Sequence, residues 1–122
     1  MDPINILNRY FGYHSFRPLQ REIIDATLAG KDSLVLMPTG GGKSLCYQVP
    51  ALMLDGVTIV VSPLISLMHD QVEALVENGI PAAALNSNNN TEEDLLIRRK
   101  CANGEIKLLY MSPEKLIAEI PF

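Results

Sequence analysis

Three consecutive glycines followed by a lysine and a serine, Gly40-Gly41-Gly42-Lys43-Ser44, are the residues of this chain best suited to chemistry. A backbone without Cβ atoms can take positive φ and come close to a ligand. Consecutive N–H groups in such a turn, backed by the N-terminus of a following helix, cradle an anion. Lys43 beside that cradle can meet outer phosphates, and the Ser44 hydroxyl is a hard oxygen of the kind magnesium prefers. With Thr39, these residues form a candidate triphosphate site in which Lys43 is the catalytic cation and Ser44 the Mg2+ ligand. The strict spacing G-x-x-x-x-G-K-[ST] asks for glycine at position 37, where this chain has Met37, while the loop length and the Gly42-Lys43-Ser44 core are kept. A flexible glycine turn with an incidental Lys-Ser pair is the plain alternative. An apolar run before the turn and a helical pattern after it favour the phosphate reading.

A second group lies upstream, in Tyr13, Arg17 and Gln20. A glutamine amide carries donor and acceptor and can pair bidentately with an adenine edge. Tyr13 and Arg17 offer flat faces on which a base can stack. From spacing alone, aromatic packing at the foot of a helix with a solvated Arg and Gln is the simpler reading. Ser62-Pro63 and Ser112-Pro113 are two further pairs, each a capping residue followed by proline directly after an apolar run. Helix capping by itself explains them. His14, His69 and the basic cluster Arg98-Arg99-Lys100 read as solvated residues, and Met37, Met53 and Met68 as packing.

The elements that position these residues follow from periodicity. Asp2 and Pro3 open a helix to about residue 10, and Pro18 opens a second with Ile23, Ile24 and Leu28 on one face, ended by Gly30. Residues 33–37 read as a buried strand and 43–54 as a helix. Residues 57–61 read as the clearest strand, with Ser62-Pro63 starting a helix closed by Gly79. Residues 82–85 are a weaker strand, and Thr91 with Asp94 suggests a capping box for a helix over 91–103. Residues 106–110 are a fourth strand, and Ser112-Pro113 opens a last short helix. Strands separated by helices imply a parallel sheet with helices on both faces. The strand ends near Pro38, Ser62, Asn86 and Ser112 then share one rim, where such sheets bind ligands.

The chain has 122 residues, 48% hydrophobic and 20% charged, with a net charge of −4. That size suits one domain and that composition excludes a disordered chain. An acidic chain cannot hold nucleic acid by bulk charge, so any such contact must be local. No long apolar run or signal-peptide pattern appears, so a cytoplasmic protein without membrane contact is expected. Cys46 and Cys101 lie far apart without further ligands in metal spacing and read as free thiols.

Three stretches together resemble the RecQ family of DNA helicases. They are Phe11-Gly12-x-x-x-Phe16-Arg17-x-x-Gln20, Met37 through Gln48 around the triglycine, and Val61-Ser62-Pro63-Leu64-Ile65-Ser66-Leu67-Met68. The resemblance runs from about residue 7 to 116. It implies a RecA-like P-loop fold, with residues 1–30 as an adenine-binding helical segment and 31–122 as an incomplete parallel sheet of the first motor lobe. It implies that Tyr13, Arg17 and Gln20 hold adenine, and that Thr39 to Ser44 hold ATP with Mg2+. It implies that Ser62, Pro63, Leu64, Ile65, Ser66, Asn86, Ser112, Pro113, Glu114 and Lys115 touch single-stranded DNA. Helix N–H groups after Ser62-Pro63 and Ser112-Pro113 could receive backbone phosphates without reading sequence.

The implied activity is ATP-driven 3′-to-5′ unwinding of duplex DNA, nucleoid-associated in a bacterium. The family's acidic D-E-x-H motif, its second lobe with an arginine finger, and its zinc and winged-helix modules do not occur in these residues. The chain therefore reads as the first part of lobe one, inactive by itself. A short nucleotide-binding module without motor activity, and a related RNA helicase, are the alternatives.

Overall fold

A computed structural model of the chain describes residues 2–35 and 42–119, which fall into two compact units, Met1–Asp55 and Gly56–Phe122. In the first unit, α1 (Pro3–Ile6) is capped by Asp2, whose carboxylate accepts from the Ile4 N–H at 3.0 Å, and continues into a π-helical turn over Leu7–Phe11. Then come α2 (Gln20–Leu28) and α3 (Leu45–Met53). Their apolar faces meet in a core of Ile6, Leu7, Ile24 and Val49, with Phe11, Phe16 and Leu28 packed around it.

Two expectations change here. Helix α2 opens at Gln20 rather than Pro18, and its cap residue Leu19 has φ 73. A leucine rarely takes that left-handed conformation, so something must hold it. The hold is Gln20: its N–H donates to the Arg17 carbonyl at 3.1 Å, and its Oε1 accepts from the Arg17 N–H at 2.7 Å. The strand expected over 33–37 does not form in its described part, 33–35, where Leu34 is 92% exposed. An extended segment becomes a strand only when a neighbour pairs its backbone groups, and the described strands pair only among themselves. Residues 36 and 37 lie outside the described part.

The second unit is a three-stranded parallel sheet of β1 (Thr58–Val61), β2 (Ala82–Leu85) and β3 (Leu108–Met111), in the order β1-β3-β2. Helix α4 (Ile65–Glu77) lies on one face, where the hydroxyl of buried Tyr110 donates to Gln71 Oε1 at 2.7 Å. Helices α5 (Thr91–Ala102) and α6 (Pro113–Glu119) serve the other face, where Leu85, Leu109 and Met111 pack with Ile97, Cys101 and Leu116. This is the parallel α/β arrangement the periodicity implies.

Central β3 is buried at all four positions, as a strand covered on both faces should be. Edge strand β1 departs from that expectation, with Ile59 and Val61 51% and 46% exposed on the same face. Ser62-Pro63 does not open α4 directly. The helix starts at Ile65, because the Ser62 hydroxyl accepts from the Leu64 N–H at 3.2 Å and bends the chain first. The capping box of α5 is Asn90 with Glu93, one residue ahead of the Thr91–Asp94 expectation. Asn90 already sits in extended geometry, and its Oδ1 accepts from the Glu93 N–H at 2.8 Å.

Candidate functional site

In the first unit, Gly42, Lys43 and Ser44 lead directly into α3. Gly42 has φ +77, and its carbonyl accepts from Gln20 Nε2 at 3.1 Å. A Cβ at Gly42 would stand 2.2 Å from that nitrogen and 3.8 Å from Arg17 Cδ. The glycine is therefore required twice, by its dihedral angle and by the close approach of Gln20. Gln20 is only 1% exposed and thus joins two separate stretches, the Arg17 turn and the foot of α3. One amide proton and one lone pair of Gln20 lie beyond these two bonds.

Ser44 occupies the cap position of α3, yet its side chain makes no capping hydrogen bond. Among the described residues no side-chain hydrogen bond or ion pair engages exposed Lys43. A hard hydroxyl oxygen and an uncommitted ammonium thus lie side by side at the N-terminal end of α3, where the helix dipole favours negative charge, an arrangement suited to a polyanion with a divalent cation.

The structure brings Arg17, Gln20 and Gly42 together. Tyr13 stands 55% exposed. Thr39, Gly40 and Gly41, with Met37 and Pro38, lie outside the described residues.

In the second unit the parallel register aligns Val61, Met111 and Leu85 as the last residues of three neighbouring strands. Ser62, Ser112 and Asn86 come next in each chain and so share one rim. Backbone bonds continue the ladder there, Ser62 N–H to Met111 C=O at 3.0 Å and Ser112 N–H to Leu85 C=O at 3.1 Å. The expected common rim is present for these three junctions, and the fourth, at Pro38, lies outside the described residues.

The side chains of the rim divide into two kinds. Ser112 and Asn86 are 5% and 7% exposed and turn inward: the Ser112 hydroxyl accepts from the Lys115 N–H, and Asn86 Oδ1 accepts from the Asn88 N–H. Pro63, Leu64 and Ser66 are exposed, as is Glu114. At the start of α4 the rim thus exposes Leu64 and Ser66, with Ile65 half-buried between them.

Lys115 is not an open cation. Its Nζ meets Asp94 Oδ2 at 2.8 Å, and Arg98 bonds the other Asp94 oxygen. The Arg98 hydrogen bond first, then that of Lys115, hold the Asp94 carboxyl below the usual range. The sequence places Asp94 in a capping box with Thr91, and the structure uses it instead as the shared partner of Arg98 and Lys115. The i,i+4 spacing of Asp94 to Arg98 was a usable signal, whereas the Lys115 contact spans 21 residues and left no local trace.

No helix among the described residues is long and apolar enough to cross a membrane. The chain matches the family described as DEAD/DEAH box helicase over residues 17–120. It is 57% identical over 114 residues to the ATP-dependent DNA helicase RecQ of Pasteurella multocida, covering 93% of this chain and 18% of that protein. It is 54% identical over 114 residues to the ATP-dependent DNA helicase RecQ of Haemophilus influenzae, with the same 93% and 18% coverage. It is 47% identical over 114 residues to the ATP-dependent DNA helicase Q1 of Pongo abelii, covering 92% of this chain and 18% of that protein. The chain thus spans less than a fifth of the length of these relatives.

Proposed function

The chain belongs to the DEAD/DEAH box helicase family, and from that premise we propose that it forms the nucleotide-gripping and strand-gripping part of an ATP-dependent DNA helicase of RecQ type. The observation that carries the reading is the turn at Gly42-Lys43-Ser44, held by Gln20, with its lysine and hydroxyl uncommitted. The residues fit ATP with Mg2+: a free hard oxygen at Ser44 for the ion, an ammonium at Lys43 for the β and γ phosphates, and the positive end of the α3 dipole behind them. Thr39, Gly40 and Gly41 complete the cradle in this proposal. When bound, the magnesium ion supplies charge neutralisation on the phosphate oxygens.

The protein's own residues do the positioning. Lys43 draws the outer phosphates toward the foot of α3, where the helix dipole favours negative charge. Gln20 fixes the carbonyl of Gly42 so that the adjoining N–H groups keep one direction, which is preorganisation rather than reorganisation on binding. Arg17, beside Gly42, and Tyr13 form the adenine side, with the unspent Gln20 amide groups as the base-reading edge. Residues 1–30 then serve the base, and 31–122 serve the phosphates and the strand.

In the second unit the rim at Ser62, Pro63, Leu64, Ile65 and Ser66 receives single-stranded DNA, with Asn86, Ser112, Pro113, Glu114 and Lys115 shaping its neighbouring part. The inward bonds of Ser112 and Asn86 favour backbone N–H groups over side chains as the phosphate donors. Such contacts read no sequence, which a translocating motor requires.

The test is Lys43→Ala in the full-length protein. ATP hydrolysis is expected to vanish while the melting temperature stays within a degree or two, because Lys43 is exposed and supports no packing. Near-normal turnover would remove the phosphate assignment. A preference for RNA over DNA duplexes in strand separation by the wild type would overturn the DNA reading alone.

A further inference from the structure

Among the described strands β2 is an edge of the sheet, and its ladder shows which backbone groups face outward. Pro81 C=O accepts from Lys107 N–H at 2.9 Å and Leu85 C=O from Ser112 N–H at 3.1 Å, so the odd residues turn toward β3. Backbone direction alternates along a strand. Ala82, Ala84 and Asn86 therefore point their N–H and C=O groups away from the sheet.

Asn89 closes the upper end of this edge. Its Nδ2 donates to Ala84 C=O at 3.2 Å and its Oδ1 accepts from Asn86 N–H at 2.8 Å. A residue of a further parallel strand, placed opposite Leu85, would make the same two bonds. The Asn89 amide thus stands in for such a strand and stops pairing there. Below it, no hydrogen bond of the described residues meets the N–H or C=O of Ala82 or the N–H of Ala84.

This open stretch forms the floor of a groove between α4 and α5, with cleft volumes of about 760 Å³ above and about 340 Å³ below, both bordered by Ala82. On the α5 wall, Glu93 lies at the end of the groove near Asn89, Ile97 comes next, and Lys100 lies at the end near Pro81. Their i, i+4, i+7 spacing is one helix face. The wall reads acid, apolar, base along the edge.

We propose that the β2 edge docks an extended peptide as an added strand. Its apolar residue lies against Ile97, a basic residue two positions away faces Glu93, and an acidic residue on the other side faces Lys100. Same-side residues of a strand stand about 6.7 Å apart, while the wall residues rise about 6 and about 4.5 Å along α5. Side chains at i, i+2 and i+4 therefore reach all three. Backbone pairing with Ala82 and Ala84 supplies affinity, and the wall charges supply selection. Charge complementarity also argues against a second copy of this chain, because β2 itself, Ala82-Ala83-Ala84-Leu85, brings no charge to Glu93 or Lys100. The inference does not depend on the nucleotide or DNA reading.

Fluorescence polarisation with two labelled synthetic peptides tests it on the full-length protein. One contains Lys-Thr-Val-Thr-Glu and the other Lys-Thr-Val-Thr-Lys. Wild type is expected to favour the mixed-charge peptide about fivefold, the scale of one exposed ion pair, and Lys100→Glu is expected to reverse that preference. Ala82→Pro removes an outward N–H without touching the ladder to β3 and is expected to weaken the mixed peptide about tenfold, the scale of one lost backbone bond. Equal binding of both peptides, or an unmoved preference in Lys100→Glu, would overturn the proposal. So would dimerisation in sedimentation that the peptide does not reverse, which would assign the edge to a second copy.

Discussion

Gly42→Ala probes the joint between the base side and the phosphate side of the candidate site. Gly42 has φ +77, and a Cβ in that region costs about 1–2 kcal/mol. The same Cβ would stand 2.2 Å from Gln20 Nε2, so Gln20 must withdraw from a position where it is only 1% exposed. Withdrawal breaks its bonds of 2.7 and 3.1 Å to Arg17 N–H and Gly42 C=O, each worth about 1 kcal/mol net. The turn then loses about 3–4 kcal/mol of preorganisation, or roughly 140- to 700-fold in ATP affinity at about 1.4 kcal/mol per tenfold.

Titration of a fluorescent ATP analogue reads that loss, with urea unfolding alongside to separate it from global instability. The decisive comparison is the same substitution in a Gln20→Ala background. There the obstructing amide is gone and only the dihedral cost of about 1–2 kcal/mol remains, so the two changes should couple by at least about 1 kcal/mol. Equal losses in both backgrounds, within about 0.5 kcal/mol, would refute the idea that Gln20 and Gly42 act as one unit.

Two further outcomes follow from the second unit. Asp94→Asn removes the negative charge shared by Arg98 and Lys115 and should lower the melting temperature at pH 7. A carboxyl held below its ordinary pKa stabilises the fold above its unfolded value near 4 and loses that effect as pH falls through the folded value. The gap from wild type should therefore close below about pH 4, and a gap constant with pH would exclude the carboxylate as its source. Tyr110→Phe deletes a 2.7 Å bond from a side chain only 1% exposed. It should cost about 1 kcal/mol in urea unfolding, and no change in midpoint would show that Gln71 contributes nothing through that bond.

Local signals were legible where one residue settles the geometry. Asp2 caps α1, Gly30 and Gly79 stand just past the ends of α2 and α4 with φ 79 and 81, and Ala82–Leu85 is a strand despite its weak β-propensity. Where neighbouring residues can do the same job, the reading slipped. Asn90 caps α5 although Thr91 offers a similar oxygen, and Ser62 bends the chain before α4 instead of opening it. The apolar run at 33–35 has strand composition without a strand, because composition reports a preference and not a partner.

The candidate phosphate residues Gly42, Lys43 and Ser44, the helix-strand alternation and the parallel sheet were all decided by the chain's own order of residues. These depend on dihedral preference, side-chain chemistry and periodic burial, which act over a few neighbours. Only the tertiary structure decided the β1-β3-β2 order, the open edge of β2, the bond from Gln20 to Gly42 across 22 residues and the pairing of Lys115 with Asp94. Each of these is a choice among distant partners of equal local merit, and packing settles it once the chain has closed on itself.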